Sequence, residues 1–156
     1  MADAPTFEYT VYGRPVSTQP KPRAPGGKPK KSSALPAWRQ RVTAAFQDAW
    51  KDYSKDVFLD PLRLELIWVY DAGVPNVPDL DNIVKPFIDV PQDVLYPGDS
   101  LFREIQLFKF ELNEPRSVDV SSEKLNAALA SRQEFVYIRI NAMRSGAVRS
   151  LTLPAG

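Results

Sequence analysis

A chain of 156 residues, 44% hydrophobic and 25% charged, has the size and balance of one ordinary folded domain with apolar side chains enough for a real core. It contains no cysteine and no histidine, which excludes disulfides, thiolate nucleophiles, Cys- or His-ligated metals, Ser-His-Asp triads and imidazole bases. Any catalysis must rest on carboxylates, lysine, arginine, hydroxyls or an oxygen-ligated cation, and the net charge of +1 conceals a division, residues 1–55 carrying +6 and residues 56–156 carrying −5.

In chain order, Phe7 to Tyr12 alternates apolar and polar residues, with Phe7, Tyr9 and Val11 on one face, and predicts a strand. Gly13 to Leu35 holds Arg14, Lys21, Arg23, Lys28, Lys30 and Lys31 with no acidic residue, among Pro15, Pro20, Pro22, Pro25 and Pro29. Proline lacks the amide donor and fixes φ, so this segment predicts an extended, flexible cationic loop and neither a helix nor an inner strand. It reads either as a solvated loop or as an arm that contacts the phosphates of a polyanion.

From Pro36 the period becomes helical: Trp38, Val42, Ala45, Phe46, Ala49, Trp50 and Tyr53 form a stripe that packs on a sheet, with Arg39, Arg41 and Lys51 off it. Leu62 to Tyr70 predicts a central strand, apolar at nearly every position toward its end. A breaker-rich loop, Asp71 to Pro78, leads to a short helix over about 80–89, and Pro97-Gly98-Asp99-Ser100 is a turn. Glu104 to Leu112 predicts another strand, Ser122 to Ser131 a helix capped by Ser121 or Ser122, and Glu134 to Ile140 a last strand before a loose tail over 143–156. The order β-α-β-α-β-α-β predicts an α/β (α+β) fold, one domain over 1–156, with a mixed sheet of about four strands packed against helices. The start of the chain lacks the basic and apolar regions of a signal peptide, and no apolar run approaches the ~20 residues that cross a bilayer, so a cytoplasmic protein without a membrane partner is expected.

Chemistry concentrates in Pro78-Asp79-Leu80-Asp81-Asn82-Ile83-Val84-Lys85 and in Asp99. Asp79 and Asp81 flank one residue at a loop-to-helix junction, Lys85 follows Asp81 by four on one helical face, and Asp99 returns after a helix and a turn. Three carboxylates without histidine suit a hard cation such as Mg²⁺, with Mn²⁺ as its substitute; such an ion orients a phosphodiester and activates water. Lys85 is then a point charge near the scissile phosphate or the attacking water. Asp79 and Asp81 are equally good capping residues for the helix that follows, so capping stands beside metal ligation as a reading of the pair.

The run Pro78-Asp79-Leu80-Asp81-Asn82-x-x-Lys85-Pro86-x-x-Asp89, then Val94-Leu95-Tyr96-x-x-Asp99-Ser100, then Lys109, resembles the signature of the RusA family of Holliday-junction resolvases. Upstream, Gly13-Arg14-Pro15-Val16-Ser17, Lys21-Pro22-Arg23 and the Trp38 helix agree, and the resemblance covers residues 7–112. It implies a RusA-like fold with Asp79, Asp81 and Asp99 as magnesium ligands and Lys85 as an essential lysine. It also implies a homodimer that nicks four-way DNA junctions symmetrically, often in phage settings of recombination and repair. Arg14, Lys21, Arg23, Lys28, Lys30 and Lys31 would then grip DNA phosphates, Asn82 would orient an aspartate or cap the helix, and no small-molecule cofactor is implied. Two features depart from the family pattern: Gly98 stands where the family carries an acidic neighbour of Asp99, and 114–133 adds a helical segment. The alternatives are a non-catalytic branched-DNA-binding protein with a degenerate metal site, or a related nuclease acting on flaps or forks.

Overall fold

Each predicted strand and helix has a counterpart in the computed structural model, which describes residues 6–20, 32–114 and 122–143. The elements are β1 (Thr6–Tyr12), α1 (Leu35–Lys51), β2 (Leu62–Tyr70), α2 (Lys85–Asp89), β3 (Phe102–Glu111), α3 (Glu123–Ala130) and β4 (Phe135–Ala142). They form one mixed sheet in the order β1-β4-β2-β3, antiparallel except for the parallel pair β2 and β3. The result is an α+β fold. β2 is an inner strand, as its nearly continuous apolar end implies, with Trp68 and Val69 both fully buried on opposite faces.

α1 lays its stripe of Leu35, Trp38, Val42 and Phe46 across one face of the sheet, against Phe7, Tyr9 and Val11 of β1 and Leu64, Leu66 and Trp68 of β2. Each such side chain contributes ~1.5–3 kcal/mol on leaving water. The connection from β2 to β3 packs on this same face through Ile83, Phe87, Leu95 and Tyr96. α3 covers the other face, where Leu125 and Ala128 meet Val69, Phe135 and Tyr137. Ser122 caps α3, its hydroxyl accepting from the Leu125 amide at 3.2 Å.

The helix predicted over 80–89 is instead a 3-10 turn, Leu80–Asn82, followed by the five-residue α2. Pro86 explains the break. In an unbroken helix the carbonyl of Asn82 would need an amide at position 86, and proline has none. That carbonyl accepts from the Thr18 amide at 2.8 Å and the Thr18 hydroxyl at 3.1 Å instead, which ties the chain after β1 to the turn. A second 3-10 turn, Asp99–Leu101, runs directly into β3, which starts two residues before the predicted Glu104.

The buried hydroxyl of Tyr9 donates to the Phe87 carbonyl at 3.0 Å, Tyr96 donates to the Ile88 carbonyl, and Tyr137 to Glu8. Burial pushes all three phenols above their ordinary value of 10.0, aided by Tyr96 for Tyr9, by Asp89 and Asp99 for Tyr96, and by Glu8 for Tyr137. The unfolded chain therefore ionises first as pH rises. Stability is intact below pH ~10 and is lost above it, at ~1.4 kcal/mol per pH unit for each tyrosine. Melting temperature is expected to stay level up to that pH and then fall steeply; a level profile a full unit beyond it would contradict these burials.

Candidate active site

The loop leaving β2 is almost wholly exposed from Ala72 to Val77, so apolar burial does not fix its path. Polar bonds do. Arg14, just beyond β1, pairs with Glu134, just before β4, through Nε to Oε2 at 2.6 Å and Nη2 to Oε1 at 2.9 Å. Nη2 also donates to the Asp71 carbonyl at 2.7 Å, and Nη1 to the carbonyls of Val74 and Pro75 at 3.2 Å each. Glu134 further accepts from the Asp71 amide at 2.9 Å and the Trp68 indole at 3.2 Å. Gly13, at φ +114, makes the bend that sets Arg14 in place, a conformation costly for any residue with a Cβ.

At the far end of this loop, Lys109 of β3 reaches the Pro78 carbonyl at 3.4 Å, its ammonium lying 4.8 Å from the Trp68 ring centre and 5.0 Å from that of Tyr70. Asp79 is the next residue. It begins the Leu80–Asn82 turn in an extended conformation, and its side chain makes no capping bond, so the capping reading of Asp79 is not realised. Asp79, Asp81 and Asp99 are all exposed, and none of their carboxylates forms an ion pair with another described residue. The Leu80–Asn82 turn packs against β3, and the Asp99–Leu101 turn leads into that same strand, both on the α1 face.

Both acidic turns thus flank one edge strand, but among the described residues no three acidic side chains are gathered closely enough to hold a metal ion. The convergence expected of Asp79, Asp81 and Asp99 is not preassembled. Carboxylates crowd together only around a counter-charge. Their donor chemistry fits the hard cation that the sequence implies: three exposed, oxygen-only groups with no competing ion pair among the described residues. Gly98 is extended at φ −169, and a Cβ there would meet nothing nearer than the Ser100 hydroxyl at 3.9 Å, so backbone geometry does not require the glycine that replaces the acidic neighbour.

Lys85 is 63% exposed at its side chain and lies 3.6 Å from Asp89, which Arg39 of α1 approaches at 3.8 Å. Asn82 is half-buried, and its backbone, through Thr18, is what the structure uses. Lys21, Arg23, Lys28, Lys30 and Lys31 lie outside the described residues. Arg14 alone of the basic set is described, and its donors are spent on Glu134 and the loop. Sequence reading missed Glu134, which carries no motif and lies 120 residues from its partner; it gave Lys109 no role beyond a place in the signature. A groove of about 860 Å³ runs beside Asp79, lined by Arg14, Ser17, Gln19, Pro78 and Asn82 among others.

Among the described residues no helix is long and apolar enough to cross a membrane. A comparison with curated proteins yields no match. The family model described as Endodeoxyribonuclease RusA matches residues 13–121, a span from the Gly13 bend through both acidic turns and β3 that stops short of α3. On that match the chain belongs to the RusA endodeoxyribonuclease family, whose members act on DNA.

Proposed function

We propose that this chain is a Mg²⁺-dependent, structure-selective endonuclease that resolves four-way DNA junctions by paired phosphodiester hydrolysis. The observation that carries this reading is the set Asp79, Asp81 and Asp99 on two turns flanking β3, with Lys85 at the start of α2, all four side chains being exposed. Asp79, Asp81 and Asp99 would hold the ion, Mg²⁺ or Mn²⁺ in its place, which supplies a Lewis acid for the phosphodiester oxygens and lowers the pKa of bound water. Lys85 places a compact positive charge beside the site, restrained by Asp89 at its own turn of helix but free enough to meet developing phosphate charge. Lys21, Arg23, Lys28, Lys30 and Lys31 grip phosphates away from the cut, each adding about one unit to the salt slope of binding. A junction with two-fold symmetry is matched by a two-fold dimer carrying two sites.

A second reading has its own support. Gly98 in place of an acid, together with the absence of a gathered triad among the described residues, favours a non-catalytic protein that binds branched DNA. Lys85→Ala separates the two, because it removes charge from the site without touching the core. Junction cleavage is expected to fall by about 10² to 10³ while junction affinity changes less than about twofold. Equal loss of binding and cleavage would make Lys85 a docking residue, and cleavage by neither protein would favour the second reading. Competition among four-way, flap, fork and linear DNA in the same assay identifies the preferred structure.

A further inference from the structure

We infer that Arg14, clasped by Glu134, is a positioning residue for the loop that delivers Asp79, and not one of the side chains that grip DNA. This rests on the reading of Asp79 as a ligand of the catalytic ion. A guanidinium has five N–H donors in a fixed fork. Here the five have five acceptors: both Glu134 oxygens and the carbonyls of Asp71, Val74 and Pro75. No donor is left for a phosphate. The charge is also cancelled, since Arg14 and Glu134 side chains are only 18% and 9% exposed and lie in direct contact. An arginine so neutralised adds little to the field that draws in a polyanion.

The bonds that Arg14 makes have a direction along the chain. They hold the loop at Asp71, Val74 and Pro75, and Lys109 holds it at Pro78. Trp68 joins the two clamps, its indole donating to Glu134 and its ring lying under the Lys109 ammonium. The intervening residues are exposed, so nothing apolar substitutes for these clamps. The residue immediately after the second clamp is Asp79. The three segments thus joined, the end of β1, the exit of β2 and the start of β4, are distant in sequence, so the clasp also couples the root of the basic loop to the acidic turn.

Two conservative variants of the full chain test this. Arg14→Lys keeps the charge but cannot supply a planar five-donor fork, and Glu134→Gln keeps the shape but removes the charge that holds Arg14. Three quantities are read: junction affinity against salt without divalent ion, Mn²⁺ affinity by calorimetry, and hydrogen exchange of the amides over 71–79. Both variants are expected to keep wild-type junction affinity and salt slope within about twofold. Both should weaken Mn²⁺ binding at least about tenfold and speed exchange at the Asp71 and Val74 amides, while amides of β2 and β4 stay protected. A third variant, Arg14→Gln, removes the charge: a salt slope lowered by about one unit in it, with Mn²⁺ binding unchanged, overturns the inference and restores Arg14 to the phosphate-gripping set. Unchanged exchange over 71–79 in both variants overturns it as well. Exchange and Mn²⁺ binding report on the clasp whether or not the wild-type protein cuts DNA, so the clasp and the nuclease reading fail on separate results.

Discussion

Asp81→Asn is expected to lower the single-turnover rate of junction nicking by on the order of 10³, with no loss of fold. Asparagine has the size and polarity of aspartate but lacks the charge that a hard dication demands. Asp81 is exposed and engaged in no ion pair among the described residues, so its replacement leaves stability within about 0.5 kcal/mol of wild type. Junction affinity measured without divalent ion should hold or rise, because one negative charge that repels phosphate has gone. That pattern separates chemistry from binding. Wild-type nicking by Asp81→Asn would remove Asp81 from the site, and a large fall in melting temperature would show that it has a structural role instead.

Trp68→Ala is expected to cost ~3–5 kcal/mol, against a total stability of about 5–15 kcal/mol for an ordinary domain. Trp68 is fully buried in β2, an inner strand, and belongs to the large core under α1. Its removal opens a cavity, strips Glu134 of the indole donor at 3.2 Å, and takes the ring away from the Lys109 ammonium. The denaturation midpoint should fall sharply with little change in slope. Trp68→Phe, which fills most of the volume but cannot donate to Glu134, should lose much less stability while still disturbing the loop before Asp79. A cost below about 1 kcal/mol for Trp68→Ala would contradict the central position of this residue in the core.

The same residue shows why parts of the fold are legible from sequence. The pattern bounds β2 at Leu62 and Tyr70, as observed, because alternation that gives way to consecutive apolar residues marks a strand buried on both faces. The α1 stripe and the Ser122 cap are equally local signals. Local signals also misled. Ile83, Val84, Phe87 and Ile88 carry a helical period through 80–89, yet Pro86 breaks the helix there, and the Thr18 bonds that satisfy Asn82 come from 64 residues away. The order β1-β4-β2-β3 depends on pairings between distant segments and has no counterpart in periodicity.

At the site, the residue types and spacing of Asp79, Asp81, Lys85 and Asp99 were readable, since chemistry is written in side chains. Their assembly was not. That the two acidic turns flank β3 without closing into a triad is a matter of tertiary geometry. Arg14 is the sharpest case. Inside a run of basic residues it reads as one more cation for DNA, and only the arrival of Glu134 from the start of β4 shows it to be engaged.

The central claim is that these exposed acids and Lys85 cut a branched phosphodiester backbone with the help of a divalent ion. The most direct measurement is incubation of the purified chain with a synthetic four-way junction, end-labelled on each strand in turn, with Mg²⁺ and with chelator. Paired nicks in opposing strands near the branch point, present with Mg²⁺ and absent with chelator, are the predicted result. An intact junction that is nonetheless bound tightly at every Mg²⁺ and Mn²⁺ concentration would contradict the account.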